Sequence, residues 1–421
     1  MKIWILKDGD PVPGIDEGQR MLRSGIMAEY FNQQGHDVTL WCSTWSHAQK
    51  KFRCAEDKKM VLDCGIKINL LKSTGYEKNI SLQRILHNKK LARNFFNASF
   101  QTERPDLIIA SLPTVDFAYA GLRVAKKMKI PFLVDLRDKW PDIFVEIFNF
   151  PMNKLVRVLF NEQFAKMKKI CSQATGLIGI TESFLEWGVR YGRRTETDND
   201  FVLPLVTPNN INCLAKKEKK VNQKVLDLLP VLEKSFVMVY AGSLQPSIDL
   251  GPVIKTMDKL PKSIVLVIAG ASGLIEDYKK LAQNNDNIVF TNWLNQYELH
   301  LIYSQSNIAL APYVNKPYFT MNLTNKPIEY MSYGLPILTS VEGYLSNLIE
   351  KNKIGFFYEG KNIALLVEHI KRFFNHPSLL KQYSDNSRTY FDKQFDYSKT
   401  YSHFLNYIER VVEHEHDRCK S

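Results

Sequence analysis

Short apolar runs alternate with amphipathic stretches along most of this chain. Residues 2–6, 37–42, 67–71, 106–111, 131–135 and 176–180 are nearly continuous apolar runs, of the kind buried on both faces of a parallel sheet. Between them the period lengthens to that of a helix. After Leu22, Ile26 and Tyr30 recur four residues apart, as do Met27 and Phe31, and Gly35 closes the pattern before Asp37 opens the next run. This predicts a right-handed strand, helix, strand unit whose helix starts near Gln19 and Arg20.

Beyond Pro204 the periodicity lapses through residues 207–210 and the charged run 216–220, and then the same grammar restarts. Residues 236–240, 264–268, 288–290, 307–311, 336–340 and 354–358 read as a second set of strands. Two such arrays predict an α/β protein of two Rossmann-like doubly wound domains facing each other across a cleft. Ligands then bind beyond the carboxyl ends of the strands. The expected boundaries are a first domain over 1–205, a linker over 206–234, a second domain over 235–385 and a helical segment over 386–421 that packs back on the first domain.

Composition narrows the partners. The six cysteines include no CxxC pair, so neither a disulfide framework nor a zinc ribbon is indicated, and a reducing, cytoplasmic setting is expected. No apolar run approaches the roughly 20 residues of a membrane span, and the run at residues 2–6 is too short for a signal peptide. The net charge is +12, and residues 43–104 hold 13 basic and 5 acidic side chains. Such a field suits nucleic acid, anionic lipid or a phosphorylated substrate. Nucleic acid is not expected, because no stacking platform or binding motif accompanies the charge. Lys154, Arg157, Lys166, Lys168 and Lys169 are interleaved with Leu155, Val158, Leu159, Phe160 and Phe164. Either these present a basic, apolar face to an anionic membrane, making the protein peripheral on the inner face of the cell membrane, or the apolar members pack a helix on the sheet.

Candidate chemistry gathers at the strand ends. After the first run, Gly14, Asp16 and Arg20 lie in a loop whose glycines and prolines permit close backbone approach to an anion. There is no GxGxxG and no P-loop. Asp8-Gly9-Asp10 has the form of a metal-binding DxD, but a plain turn is preferred and no metal is expected. The fifth run ends in Arg137 and Asp138, on the rim of a cleft or in structural ion pairs. The sixth ends in Thr181, Glu182 and Ser183, of which Thr181 and Ser183 suit helix capping. In the second half Gly242 and Ser243 follow a strand. Asn322, Leu323, Thr324 and Lys326 lead into a helix that carries Glu329 about one turn in. A carboxylate there can accept two hydrogen bonds from vicinal hydroxyls, and the free N–H groups at the helix start suit a phosphate.

Residues 20–25 with 35–41, 134–141 and 327–336, in this order, resemble bacterial retaining glycosyltransferases of the GT-B fold, family 4, of the type that builds surface polysaccharides. The resemblance spans nearly the whole chain. It implies a nucleotide sugar, UDP- or GDP-linked, held by the second domain, with no cofactor or metal. The implied acceptor, held by the first domain, is a saccharide or an undecaprenyl-diphosphate-linked saccharide of O-antigen or capsule synthesis. It assigns Glu329 to the ribose and the segment of Trp293 and Leu294 to the nucleobase, and Asp138 and Glu182 are the candidates for positioning the acceptor. The chain also departs from the family. Met321 stands where the first glutamate of the E-x7-E pair is expected, Ser243 and Gln245 stand where an Arg and a Lys are expected, and Ser111 replaces a histidine. Those departures leave two alternatives: a sugar-nucleotide epimerase of the same fold, and a non-catalytic partner subunit.

Overall fold

A computed structural model describes residues 1–16, 19, 21–79, 81–206, 221–271 and 273–418. The chain divides into two units, Met1–Pro204 with Ser398–Ser421, and Leu205–Tyr397. The strands of the first unit are β1 (Lys2–Leu6), β2 (Asp37–Ser43), β3 (Trp45–Ser46), β4 (Lys51–Phe52), β5 (Lys58–Val61), β6 (Lys67–Leu71), β7 (Leu107–Ser111), β8 (Phe132–Leu136), β9 (Gly176–Gly179) and β10 (Phe201–Val202). Its helices are α1 (Arg23–Gln33), α2 (Leu82–Ser99), α3 (Val115–Met128), α4 (Asp142–Ile147), α5 (Met152–Leu159), α6 (Asn161–Gln173) and α7 (Glu182–Gly192). Eight strands form one sheet in the order β10-β9-β8-β7-β1-β2-β6-β5, parallel except for β5.

The second unit has β11 (Phe236–Ala241), β12 (Ile264–Ala269), β13 (Ile288–Phe290), β14 (Ile308–Ala311), β15 (Ile337–Thr339) and β16 (Gly355–Phe357), all parallel, in the order β13-β12-β11-β14-β15-β16. Its helices are α8 (Gln223–Leu232), α9 (Gly251–Thr256), α10 (Ile275–Leu281), α11 (Gln296–Ser304), α12 (Pro317–Thr320), α13 (Asn325–Ser332), α14 (Tyr344–Lys351), α15 (Ile363–Asn375) and α16 (Pro377–Gln394). The last helix, α17 (Tyr397–Arg418), packs on the first unit, where Phe404 stacks on Phe31 and Tyr407 on Phe201.

Every apolar run contains a strand, and in the central strands alternate residues are equally buried because both faces are covered, whereas the edge strands β13 and β16 are only partly buried. Three boundaries and the packing of one helix bear on the expectations. Helix α1 starts at Arg23, with Arg20 outside the described residues. The expected linker contains α8, and its charged run 216–220 lies outside the described residues. Helix α16 runs through the expected boundary at 385, and the segment that belongs to the first unit begins only at Ser398. Finally, α5 does not pack as a core helix: Leu155, Val158 and Leu159 are exposed, and Val156 is its buried residue. No helix among the described residues is long and apolar enough to cross a membrane.

Both sheets are doubly wound, so each has a point where the strand order reverses. In the first it lies between β1 and β7, and in the second between β11 and β14.

Candidate donor and acceptor sites

At the second switch point the sequence builds a compact polar corner. The Tyr330 hydroxyl on α13 accepts the N–H of Ala241 at 3.0 Å, tying the helix to the end of β11. Gly242 and Ser243 turn the chain there, and Tyr240 donates to the Ser243 carbonyl at 2.9 Å. Gly270 comes so close that a Cβ would lie 1.9 Å from the Gly242 oxygen, so glycine is required there. From the end of β14, Tyr313 stacks on Phe319, and its hydroxyl lies 2.7 Å from Thr324 Oγ1.

That contact shapes the start of α13. Thr324 is its N-cap residue, but its side chain makes no capping hydrogen bond. The N–H groups of Asn325 and Lys326 are left without a capping partner among the described residues, and Pro327 has none to offer. Lys326 Nζ lies 2.9 Å from Glu329 Oε2 and 3.4 Å from the Tyr303 hydroxyl. Asn322 is buried, with an Oδ1 that has no partner among the described residues. Leu323 is also buried, so its backbone alone can meet a ligand. Burial, reinforced by the Glu329 charge, raises the Tyr333 hydroxyl to about 12. These hydroxyls stay neutral donors.

Trp293 and Leu294 follow the outer strand β13, two strands away from the switch point. Trp293 is exposed, whereas the Leu294 side chain belongs to the core. Tyr313 was not singled out in the sequence, although its place at the end of a central strand is the signal that could have found it.

The first switch point is a buried charge network. Lys7 Nζ bridges it by donating to the Leu112 carbonyl at 2.7 Å, and Asp10 Oδ1 lies 3.7 Å away. Burial, followed by the nearby Arg137, lowers Lys7 to about 8. Arg137 donates through both terminal nitrogens to Asp10 Oδ2 and through one of them to Ser24 Oγ at 3.0 Å, while its Nε lies 3.1 Å from Asp135 Oδ2. On its other side Asp135 meets Arg23 Nη2 at 3.1 Å, and Ser111 donates to it at 3.0 Å. Arg137 is thus held as a structural partner of two aspartates. Asp8 is paired with His87 at 3.1 Å, so the two carboxylates of the DxD form face protein cations and an imidazole.

Asp16, in the loop after β1, is held within the protein. Arg53 grips it through Nε and Nη2, the shorter contact being 2.6 Å, and Val12 N–H donates to it at 2.9 Å. Its charge pins the loop and is not directed at an anion. Gly14 adopts φ +68°, and a Cβ there would meet Leu62 at 2.7 Å.

Asp138 differs from its neighbours. Its Oδ1 is buried with no hydrogen-bond partner among the described residues, and burial raises its carboxyl above the usual range even though Lys7 and Arg84 stand nearby. Arg84, whose Nε is also buried and unpartnered, lies over the Trp140 and Tyr76 rings, 4.7 and 5.4 Å from their centroids. Lys7, Arg84 and His87 were not among the sequence candidates; a lysine immediately after β1 was the legible signal. Glu182 is exposed at the first position of α7, one strand beyond Asp138. Thr181 caps that helix by accepting from Phe184 N–H, and Ser183 lies inside it.

Residues 228–390 match the family described as glycosyl transferases group 1. The matched residues run from α8 to α16, within the second unit. The α-monoglucosyldiacylglycerol synthase of Streptococcus pneumoniae is 29% identical over 113 residues, 26% of this chain and 24% of that protein. The chain spans only 24% and 49% of the length of the curated relatives it matches. Two solved structures extend the likeness in fold to nearly all of both chains. Sucrose-phosphate synthase from Thermosynechococcus elongatus superposes with a TM-score of 0.73 at 14% identity, covering 98% of this chain and 99% of that one. The Anabaena protein HepE, solved with UDP and glucose, gives 0.64 at 13% identity over 97% and 100%. The two doubly wound units make the GT-B fold.

Proposed function

We propose that the protein is a retaining glycosyltransferase that moves a sugar from a UDP- or GDP-linked donor to a saccharide or lipid-linked saccharide in cell-surface polysaccharide synthesis. The observation that carries this reading is the start of α13. Two uncapped N–H groups, the Lys326–Glu329 pair and the unpartnered Asn322 Oδ1 converge there, inside the matched residues. N–H groups and an ammonium suit a diphosphate, and a carboxylate one turn along suits the ribose hydroxyls. Lys326 can exchange Glu329 for a phosphate oxygen, freeing Glu329 to accept from the ribose. Gly242 and Ser243 offer backbone at the adjoining strand end, and the backbone at Trp293 and Leu294 would read the base.

In this reading the bond from the anomeric carbon to the diphosphate oxygen breaks while the acceptor hydroxyl attacks from the same face. Its proton passes to the departing phosphate oxygen. The protein contributes preorganised dipoles and cations and no side-chain nucleophile. Asp138, with its free buried oxygen, orients the acceptor hydroxyl, and Glu182 contacts the acceptor further out. Catalysis needs no divalent metal, a reading supported by the pairing of Asp8 and Asp10 with His87, Lys7 and Arg137.

The test is incubation with UDP- and GDP-sugars and lipid-linked saccharides, with products followed by mass spectrometry and anomeric configuration by NMR. Transfer with retention is expected. Conversion of the donor to an epimer without acceptor would favour the epimerase instead, and donor binding without turnover the partner subunit.

A further inference from the structure

Exposed apolar side chains are not spread evenly over the protein. Of the fifteen large ones among the described residues, eight lie at one corner of the first unit and are between 41% and 78% exposed. Six of these, Phe148, Phe150, Met152, Leu155, Val158 and Leu159, belong to α5 and the turn before it. The other two, Leu82 and Leu86, stand on the first two turns of α2. Contacts bring these segments together. Phe160, just after α5, stacks on Phe144, which meets Trp140, and Trp140 lies against Arg84 on α2. One turn further on, Lys89 of α2 pairs with Glu162 of α6 at 2.6 Å.

Cations border this corner. Lys89, Lys90 and Arg93 follow Leu82 and Leu86 at helical spacing along α2. Lys154 lies over the Phe150 ring, and Arg157 over Phe164. Beside them Lys89, Arg93, Arg123 and Lys166 line a recess of about 290 Å³ between α2, α3 and α6, which Asp116 and Tyr119 also line. Lys166 is paired with Asp116 and Glu162, and Lys89 with Glu162, but Arg93 and Arg123 have no carboxylate partner among the described residues.

We infer that this corner docks on an anionic bilayer, with Leu155, Val158, Leu159, Leu82 and Leu86 entering the acyl boundary and Arg93 and Arg123 meeting lipid phosphates. Apolar groups rimmed by unpaired cations match the layered chemistry of such a surface. A second copy of this chain fits poorly, because a two-fold interface would bring the same cations face to face. The inference is independent of sugar transfer: a chain that transfers nothing would still bind vesicles.

Co-sedimentation with vesicles of phosphatidylcholine alone, and of phosphatidylcholine mixed with phosphatidylglycerol, tests it. The wild-type protein is expected to bind the mixed vesicles, and less so as salt rises. The triple variant Leu155→Ser, Val158→Ser, Leu159→Ser should bind them at least about tenfold more weakly, from the loss of apolar burial. Arg93→Gln with Arg123→Gln should also cost about tenfold, but on the mixed vesicles alone. All five side chains are exposed, so melting temperatures should match wild type. Three results would overturn the inference: wild type failing to bind, the triple variant binding as tightly as wild type, or sedimentation velocity without lipid showing a dimer that the triple variant abolishes.

Discussion

The Lys326 ammonium and the Glu329 carboxylate lie 2.9 Å apart, one turn from each other at the start of α13, with both side chains mostly buried. On the proposed reading this pair exchanges partners when a diphosphate and a ribose arrive, so the two residues should be coupled in nucleotide binding. Glu329→Ala should weaken UDP or GDP binding by on the order of 1 to 3 kcal/mol, the cost of leaving hydroxyls unpaired. In a double-mutant cycle with Lys326→Ala, a coupling above about 0.5 kcal/mol is expected. Strictly additive effects would mean that the pair does not act at the ligand.

Asp138→Asn should leave donor affinity unchanged and lower transfer about a hundredfold, because it misplaces the acceptor and leaves the donor site intact. Burial raises the Asp138 carboxyl. The acid limb of kcat/KM should therefore lie above the ordinary carboxylate range and disappear in the Asn variant. Equal pH profiles for the two proteins would remove Asp138 from the reaction.

Asp142 predicts a pH dependence of stability. Burial raises its carboxyl to about 6, and its Oδ2 has no hydrogen-bond partner among the described residues. The folded state then holds this proton more tightly than the unfolded chain, whose carboxyl keeps its ordinary value of 3.8. Stability falls as pH rises through that window. Asp142→Asn should raise the melting temperature at pH 7 and leave it unchanged below the window. A variant less stable than wild type at pH 7 contradicts this.

Truncating His87 exposes the role of the first switch point. Its Nδ1 accepts the Gly75 N–H at 3.1 Å, so Nε2 carries the proton directed at Asp8. With the ring removed, the buried Asp8 carboxylate keeps the Ser43 N–H on Oδ1 but loses the imidazole on Oδ2, and His87→Ala should cost about 3 kcal/mol in urea unfolding. A loss below about 1 kcal/mol would mean that water or a neighbour replaces the ring.

EDTA should leave the transfer rate intact. Asp10 is committed to the Lys7 and Arg137 cations and Asp8 to the His87 imidazole, and Asp10→Asn should lower stability without creating a metal requirement. A rate abolished by EDTA and restored by Mg²⁺ or Mn²⁺ would reverse this view.

Local chemistry made much of this legible in the sequence. Ile3 and Ile5 on one face of a parallel sheet and Trp4 and Leu6 on the other are all buried, so such runs announce strands without alternation. The Lys326–Glu329 pair follows from spacing on one helix. Contacts over long separations are different in kind. Nothing near Asp16 indicates that Arg53, 37 residues away, will neutralise it, and the same holds for Asp8 and His87, 79 apart. The stripe of Met152, Leu155, Val158 and Leu159 shows why periodicity stops short: it marks an apolar helix face, and only the fold reveals whether a neighbour covers it.

The most direct test of the account is calorimetric titration of the protein with UDP, GDP and their glucose and mannose conjugates, repeated with Glu329→Ala and Asp138→Asn. The account predicts saturable binding of one nucleotide series to wild type and to Asp138→Asn, weakened in Glu329→Ala. No binding of any nucleotide, or equal affinity in Glu329→Ala and wild type, would contradict it.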